Sequence, residues 1–329
     1  MISDNRMSVY KSKTCGSYSY PKMALSSAQL DAFKAEGVLS IPGLVPPDVL
    51  AGWQDQMCDA CSDGVDLNDP DTWPAGRYAP TGGWPELRPN LYELPSLQSI
   101  VEQIGGGAFA PSHPAGQLWS PQVPMTRVIL PSDPGTDWTP PVDGHLDGYA
   151  SGWGGGFMAF FAVLLWDVSS SNGGGTAYWP RSHLANHRYF LEHPEQIDGS
   201  YLFTEPVRSG GHQAILQEDP NVGEVEFMTG SGGDAMLFHG LTTHIGSVNA
   251  AGSRQPRVAQ FARYSHREMR EQAPMVMFPD KDGTPWSPSE QDEHAAATGF
   301  LPPGHPGRRL KRYDVPRNLW KYWAPALNS

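Results

Sequence analysis

His145 and Asp147 stand two positions apart in PPVDGHLDGYASGWGGGF, residues 140–157, immediately before the apolar run FMAFFAVLLWDV. Side chains two residues apart in an extended segment share a face, so this imidazole and this carboxylate can reach one point in space. A hydrogen-bonded turn would also account for the pair. About a hundred residues later, GGDAMLFHGLTTHIGSVN offers His239 and His244. One of these would complete two histidines and one carboxylate on a single face of an octahedral metal. That ligand set suits non-haem Fe(II) and leaves positions open for a chelating co-substrate and dioxygen.

The segment that follows, NAAGSRQPRVAQFARYS, supplies a cation. Arg257 opens a strand, and a guanidinium fork binds a carboxylate bidentately. In a water-poor barrel it would anchor the far carboxylate of an organic diacid chelated to the metal. Arg263 has the same strand parity but lies roughly 20 Å along, which predicts that the two do not share one ligand. Arg254 falls in the preceding turn and is the fallback to Arg257.

Stepping outward, residues 1–24 read as a polar tail. LSSAQLDAFKAEGVLSIPGLV has Ser26 or Ser27 as an N-cap, Leu30 and Phe33 on one face and Gly37 as a stop; a short strand, VLSIPGLV, follows. PPDVLAGWQDQMCDACSDG predicts a second helix ending near Gly64, and LPSLQSIVEQIG a third. The Trp-, Pro- and Gly-rich stretch over 66–93 is too long for an ordinary connection, and its aromatics predict an ordered lid. From about residue 117, strand-like runs alternate with turn residues: MTRVIL, FMAFFAVLLWDV, GTAYWP, GEVEFMT, DAMLFHG and RVAQFARYS. One helix, SHLANHRYFLEH, interrupts them. The pattern predicts a mainly β fold, a sandwich or barrel of antiparallel strands with helices packed outside. Residues 25–265 form one domain, and 266–329 an extension wrapped on it.

Composition narrows the partners. With 23 basic and 35 acidic residues among 329, the net charge of −12 disfavours nucleic acid and anionic membranes. The longest strongly apolar run, Phe157 to Trp166, is about half of a membrane span. The first twenty residues carry no apolar secretory signal. Cys58 and Cys61 form a lone C-x-x-C, better read as buried or half-buried thiols in a reducing cytoplasm than as a zinc or redox site. GRRLKRY at 307–313 reads as a solvated basic face. The expected partner is a small soluble metabolite or natural-product intermediate.

The order of HLD, GGTAYWPRSH, GGDAMLFHGLTTHIGSVN and PRVAQFARY, together with LSSAQLDAFKAEGVLSIPGLVPPDVL ahead of them, resembles the phytanoyl-CoA dioxygenase family over roughly residues 25 to 265. These are Fe(II)- and 2-oxoglutarate-dependent oxygenases and include the ectoine hydroxylases. The resemblance implies a double-stranded β-helix (jelly-roll, cupin-like) core. It implies that His145, Asp147 and His244 bind iron and that Arg257 salt-bridges the C5 carboxylate of 2-oxoglutarate. Ser247 matches a position that helps hold that carboxylate, and Arg127 one that contacts co-substrate or substrate. His239 reads as packing near the metal ligand and His183 as part of a structural turn. Tyr149 and Trp153, in the glycine-rich turn after the H-x-D, would face the cavity mouth and touch substrate. The implied reaction consumes O2, releases succinate and CO2, and hydroxylates a C–H bond. Related halogenases lack the carboxylate ligand, which is present here as Asp147. The chain departs from the family at Ile245, where glycine is common, and in a longer spacing from His244 to Arg257. Two rival readings are a metal-dependent cupin-like enzyme without 2-oxoglutarate and a β-sandwich binding protein whose H-x-D only closes a turn.

Overall fold

The computed structural model describes residues 22–81, 83–105, 109–112, 124–142, 144–146, 159–192 and 219–266. Asp147, Tyr149, Trp153 and the extension after His266 lie outside the described residues. The helices are α1 (Ser27–Glu36), α2 (Pro47–Ala60), α3 (Pro95–Gly105) and α4 (Ser182–Glu192). The strands are β1 (Val38–Ile41), β2 (Arg77–Tyr78), β3 (Phe109–Ser112), β4 (Met125–Ile129), β5 (Ala159–Leu164), β6 (Thr176–Tyr178), β7 (Glu226–Phe227), β8 (Ala235–His239), β9 (His244–Gly246) and β10 (Arg257–His266).

Local chemistry sets the helix ends. Ser26 caps α1 in a reciprocal box with Gln29, and Gly37 ends it in the left-handed region at φ 75°. Proline opens α2, whose buried face is Val49, Trp53 and Met57; this helix stops at Ala60, earlier than Gly64, because Cys61 turns extended. Cys58 and Cys61 at its end are free, half-buried thiols, and burial pushes both upward, away from the thiolate.

The strands form two antiparallel sheets. The larger runs β1-β8-β5-β10-β4-β2, with β3 joining β10 beyond the end of β4; the smaller runs β7-β6-β9. This is the two-sheet arrangement of a double-stranded β-helix, open at its edges rather than closed into a barrel. All six residues of β5 are buried because both of its faces are covered, which is why its sequence is apolar without alternation. Phe161 and Val163 face the helix-side core with Leu237 and Val258, whereas Phe160, Ala162 and Leu164 face a second core with Phe238, Phe261 and, from the smaller sheet, Tyr178 and Met228. The inner face of the larger sheet, turned toward the smaller one, carries the site.

Residues 66–93 form a wall, not a lid. Leu67, Leu87 and Leu91 are buried in the helix-side core, Trp53 Nε1 donates to the Pro89 carbonyl at 2.8 Å, and β2 extends the sheet beside β4. Its leucines and aromatics gain more by packing on α2 and the sheet than a solvent-facing flap would allow. No helix among the described residues is long and apolar enough to cross a membrane.

Gly37 is the tightest joint in this body. A Cβ there would fall 2.3 Å from His183 Nδ1, and the left-handed backbone adds strain for any L side chain. Gly37→Ala is therefore expected to cost about 2 kcal/mol or more. Urea denaturation at neutral pH measures the loss; a change below about 0.5 kcal/mol would contradict this account of the joint.

Candidate functional site

The site is built around the turn 240–243, which carries chain from β8 to β9. Its hydrogen bonds come from elements on three sides. Asn186 on α4 donates to the Leu241 carbonyl at 2.8 Å and to Thr243 Oγ1 at 2.9 Å. Thr243 N–H donates to Ser182 Oγ at 2.9 Å, and Trp179 N–H to the Thr243 carbonyl at 3.1 Å. Thr242 Oγ1 and His239 N–H both donate to the Gly37 carbonyl, each at 2.8 Å. Thr242 and Thr243 are fully buried, so the turn has a fixed backbone.

That backbone sets His244. Its Nδ1 lies 3.0 Å from the Thr242 carbonyl, and a carbonyl only accepts, so Nδ1 carries the proton and Nε2 presents its lone pair. The ring stands on an aromatic floor, with centroids 4.5 Å from Phe160 and 6.0 Å from Phe238. His145 arrives from the other side. Residues 144–146 pair with β9 through His145 N–H to the His244 carbonyl at 2.9 Å and His244 N–H to the His145 carbonyl at 3.1 Å. Gly144 permits that approach, since a Cβ there would fall 2.8 Å from the Trp179 ring and 2.9 Å from the His244 carbonyl. The two imidazoles converge at 4.8 Å between centroids, with His244 buried and His145 exposed at the mouth. No third His, Cys, Asp or Glu joins them among the described residues; Asp147 follows His145 by two positions, outside those residues.

Arg257 sits on the same inner face. It is 2% exposed, yet among the described residues no carboxylate reaches it. Its Nη2 donates to Thr176 Oγ1 at 3.0 Å, its Nε is buried with no partner, and its guanidinium lies 5.4 Å from the Phe261 ring centroid. Burial first, then Arg127 and Arg77, pull its pKa down to about 10. It remains a cation at neutral pH, buried with no counter-charge among the described residues. Thr176 pairs with Gly246, and Tyr178, two residues on, pairs with His244. The hydroxyl on Arg257 and the imidazole therefore face the same way, roughly 7 Å apart along the strand.

The remaining predicted residues separate clearly. Arg254 is on the surface, 3.5 Å from Asp71, so Arg257 and not its fallback lies inside. Ser247 is buried near Thr176, but its hydroxyl donates to the Gly175 carbonyl at 2.7 Å. Arg127 is half-buried beside Ala259. His239 is packed away, its Nδ1 accepting from Leu241 N–H at 3.1 Å. Arg263 lies six residues beyond Arg257 on β10, as the strand spacing requires, but the two side chains bend toward each other. Its guanidinium also lies over Phe261, at 5.6 Å, so the two cations lean toward one ring and are at most about 11 Å apart, the sum of the two distances. Thr176 was not legible as a site residue, because only the pairing of the sheets shows that it faces Arg257.

No family model and no curated protein matches the chain. Its likenesses are to solved structures. The non-haem α-ketoglutarate-dependent carbocyclase SnoK from nogalamycin biosynthesis aligns over 80% of this chain and 94% of its own, at 14% identity and TM-score 0.48. HygX from Streptomyces hygroscopicus, with nickel and 2-oxoglutarate bound, aligns over 74% and 88% at 17% identity and TM-score 0.43. EctD from S. alaskensis, in its apoform, aligns over 78% and 82% at 17% identity and TM-score 0.43.

The turn also has a pH liability. His183 is 3% exposed and its Nε2–H donates to the Lys34 carbonyl at 2.9 Å; burial pushes it down to about 4. His239, its ring 5.0 Å away, is held well below 6.5 by burial and then by His183 and His187. Both histidines are neutral in the folded chain and titrate near 6.5 when unfolded. The unfolded chain then binds more protons as pH falls, and folding stability drops between about 6.5 and about 4. His183 alone contributes about 3 kcal/mol to that drop. Urea denaturation across this window is expected to show a shallower decline for His183→Gln than for the parent, although the variant is less stable at pH 7. Parallel curves would contradict it.

Proposed function

We propose that the chain is an Fe(II)- and 2-oxoglutarate-dependent oxygenase acting on a C–H bond of a small-molecule metabolite. The observation that carries this reading is the pairing of two unlike features on one inner face: converging imidazoles at His145 and His244, and a buried guanidinium at Arg257 with an unfilled Nε. A metal site without a diacid gives no reason to bury Arg257, and a binding module gives no reason to orient His244 Nε2.

The donor set fits the group. His145 and His244 would supply two nitrogens and Asp147, from the same short segment as His145, the carboxylate. Arg257 would hold the far carboxylate of 2-oxoglutarate, neutralising both charges in a site shielded from water. Thr176 would add a second donor, since its oxygen accepts from Arg257 and its own proton is left to give. Arg127 would contact co-substrate or substrate from β4, and Ser247 supports the Gly175 backbone beside Thr176. With O2, the bound iron and 2-oxoglutarate supply the oxidising chemistry, with release of succinate and CO2. The chain's own work is to orient these groups, keep water out with Phe160, Phe238 and Phe261, and leave the His145 side open. Tyr149 and Trp153 would meet substrate at that mouth. A carboxylate at position 147 would take the place a halide needs, so hydroxylation, or a related oxidation such as desaturation or ring closure, is the reaction proposed.

Adding Fe(II) and 2-oxoglutarate without oxygen is expected to give a visible charge-transfer band in the parent. His244→Ala should abolish it. Arg257→Ala should bind iron but weaken 2-oxoglutarate on the order of 10- to 100-fold, the value of one charge-assisted contact. Unchanged 2-oxoglutarate affinity in Arg257→Ala would favour a metal enzyme that does not use this diacid.

A further inference from the structure

The inner-face positions of β2, β4 and β10 share an unusual charge pattern. Pairing aligns Arg77 with Ile129 and Ile129 with Arg257 in one row, and Arg127 with Ala259 in the next. Tyr78 and Val128, the neighbouring pair, belong to the helix-side core, so Arg77 and Ile129 face the site. Arg263 follows on the same face of β10, opposite Phe160. This wall therefore presents four guanidinium side chains, Arg77, Arg127, Arg257 and Arg263, and no carboxylate at the paired inner positions, in a chain whose acids outnumber its bases by 35 to 23.

Arg77 is the exposed end of the row. Among the described residues, four exposed or half-exposed arginines away from this wall meet carboxylates: Arg88 with Glu86 and Glu93, Arg181 with Glu36, Arg188 with Asp219, Arg254 with Asp71. Arg77 meets none among the described residues, although an acidic chain offers many. Two strand spacings put its Cα roughly 10 Å from that of Arg257, and it is close enough to act on that residue's charge. An edge-strand arginine with no role beyond solvation would be expected to find a carboxylate as the others do.

We propose that Arg77 is a docking residue for the 2-oxoglutarate dianion, holding its charge at the rim and speeding its passage to Arg257. The assignment rests on the co-substrate reading above. An exposed charge at a rim acts mainly on association and loses its effect in salt. Arg77 would thus set how fast 2-oxoglutarate arrives, while Arg257 sets how long it stays.

Anaerobic stopped-flow mixing of the Fe(II)-loaded full chain with 2-oxoglutarate reads this through the rise of the charge-transfer band. At low ionic strength Arg77→Gln is expected to slow association about 3-fold and Arg77→Glu on the order of 10-fold. Dissociation should be unchanged, and both differences should collapse near 0.5 M salt. Arg77→Lys should retain most of the parent rate. Lys34→Gln, which removes one positive charge on α1 next to the opposite edge strand β1, is the control for net charge. If Arg77→Gln and Arg77→Glu track Lys34→Gln in rate and salt slope, the docking role is overturned while the oxygenase reading stands. If the parent itself gives no band, the oxygenase reading falls and the docking role with it.

Discussion

A guanidinium at 2% exposure, with a single hydroxyl partner among the described residues, governs the inner face of this protein. Removing such a charge from water costs several kcal/mol unless an anion compensates it. The surrounding packing keeps Arg257 in place regardless. Phe261 lies under its plane, Thr176 holds one nitrogen, and two like charges nearby make the position less favourable still. A core made only for stability would hold an apolar side chain there.

The second constraint is the rigidity of the turn before β9. His244 presents its Nε2 lone pair because Thr242 offers a carbonyl to Nδ1, and Thr242 is held because α4, the end of α1 and the β8–β9 backbone all bond to its neighbourhood. The helices thus have a role beyond covering the sheet. Gly37 receives two donors from the turn on its carbonyl and leaves room for His183 beside its Cα. The neutral histidines behind the turn are part of the same framework, and burial keeps them uncharged where a charge would disrupt it.

Charge is distributed against the average of the chain. The chain is acidic, yet the wall formed by β2, β4 and β10 is basic, and among the described residues Arg88, Arg181, Arg188 and Arg254 are in ion pairs. The two arginines flanking Phe261 give that wall depth, because their side chains lean toward each other along the strand.

The start of a strand at Arg257 was readable from sequence, because it opens the run RVAQFARYS after a turn. The major strands and all four helices followed from apolar runs, caps and glycine stops. What sequence left open were the features made by pairing between distant segments. β2, β3 and β9 are too short to show a period. Residues 66–93 read as a lid because the sequence does not show that Leu67, Leu87 and Leu91 are buried in the helix-side core or that Tyr78 pairs with β4. The choice of His244 over His239, and of Arg257 over Arg254, depended on which side of a strand or turn met the inner face. Thr176 and Arg77 acquired their neighbours purely through register, a property of two strands at once that no single stretch of sequence contains.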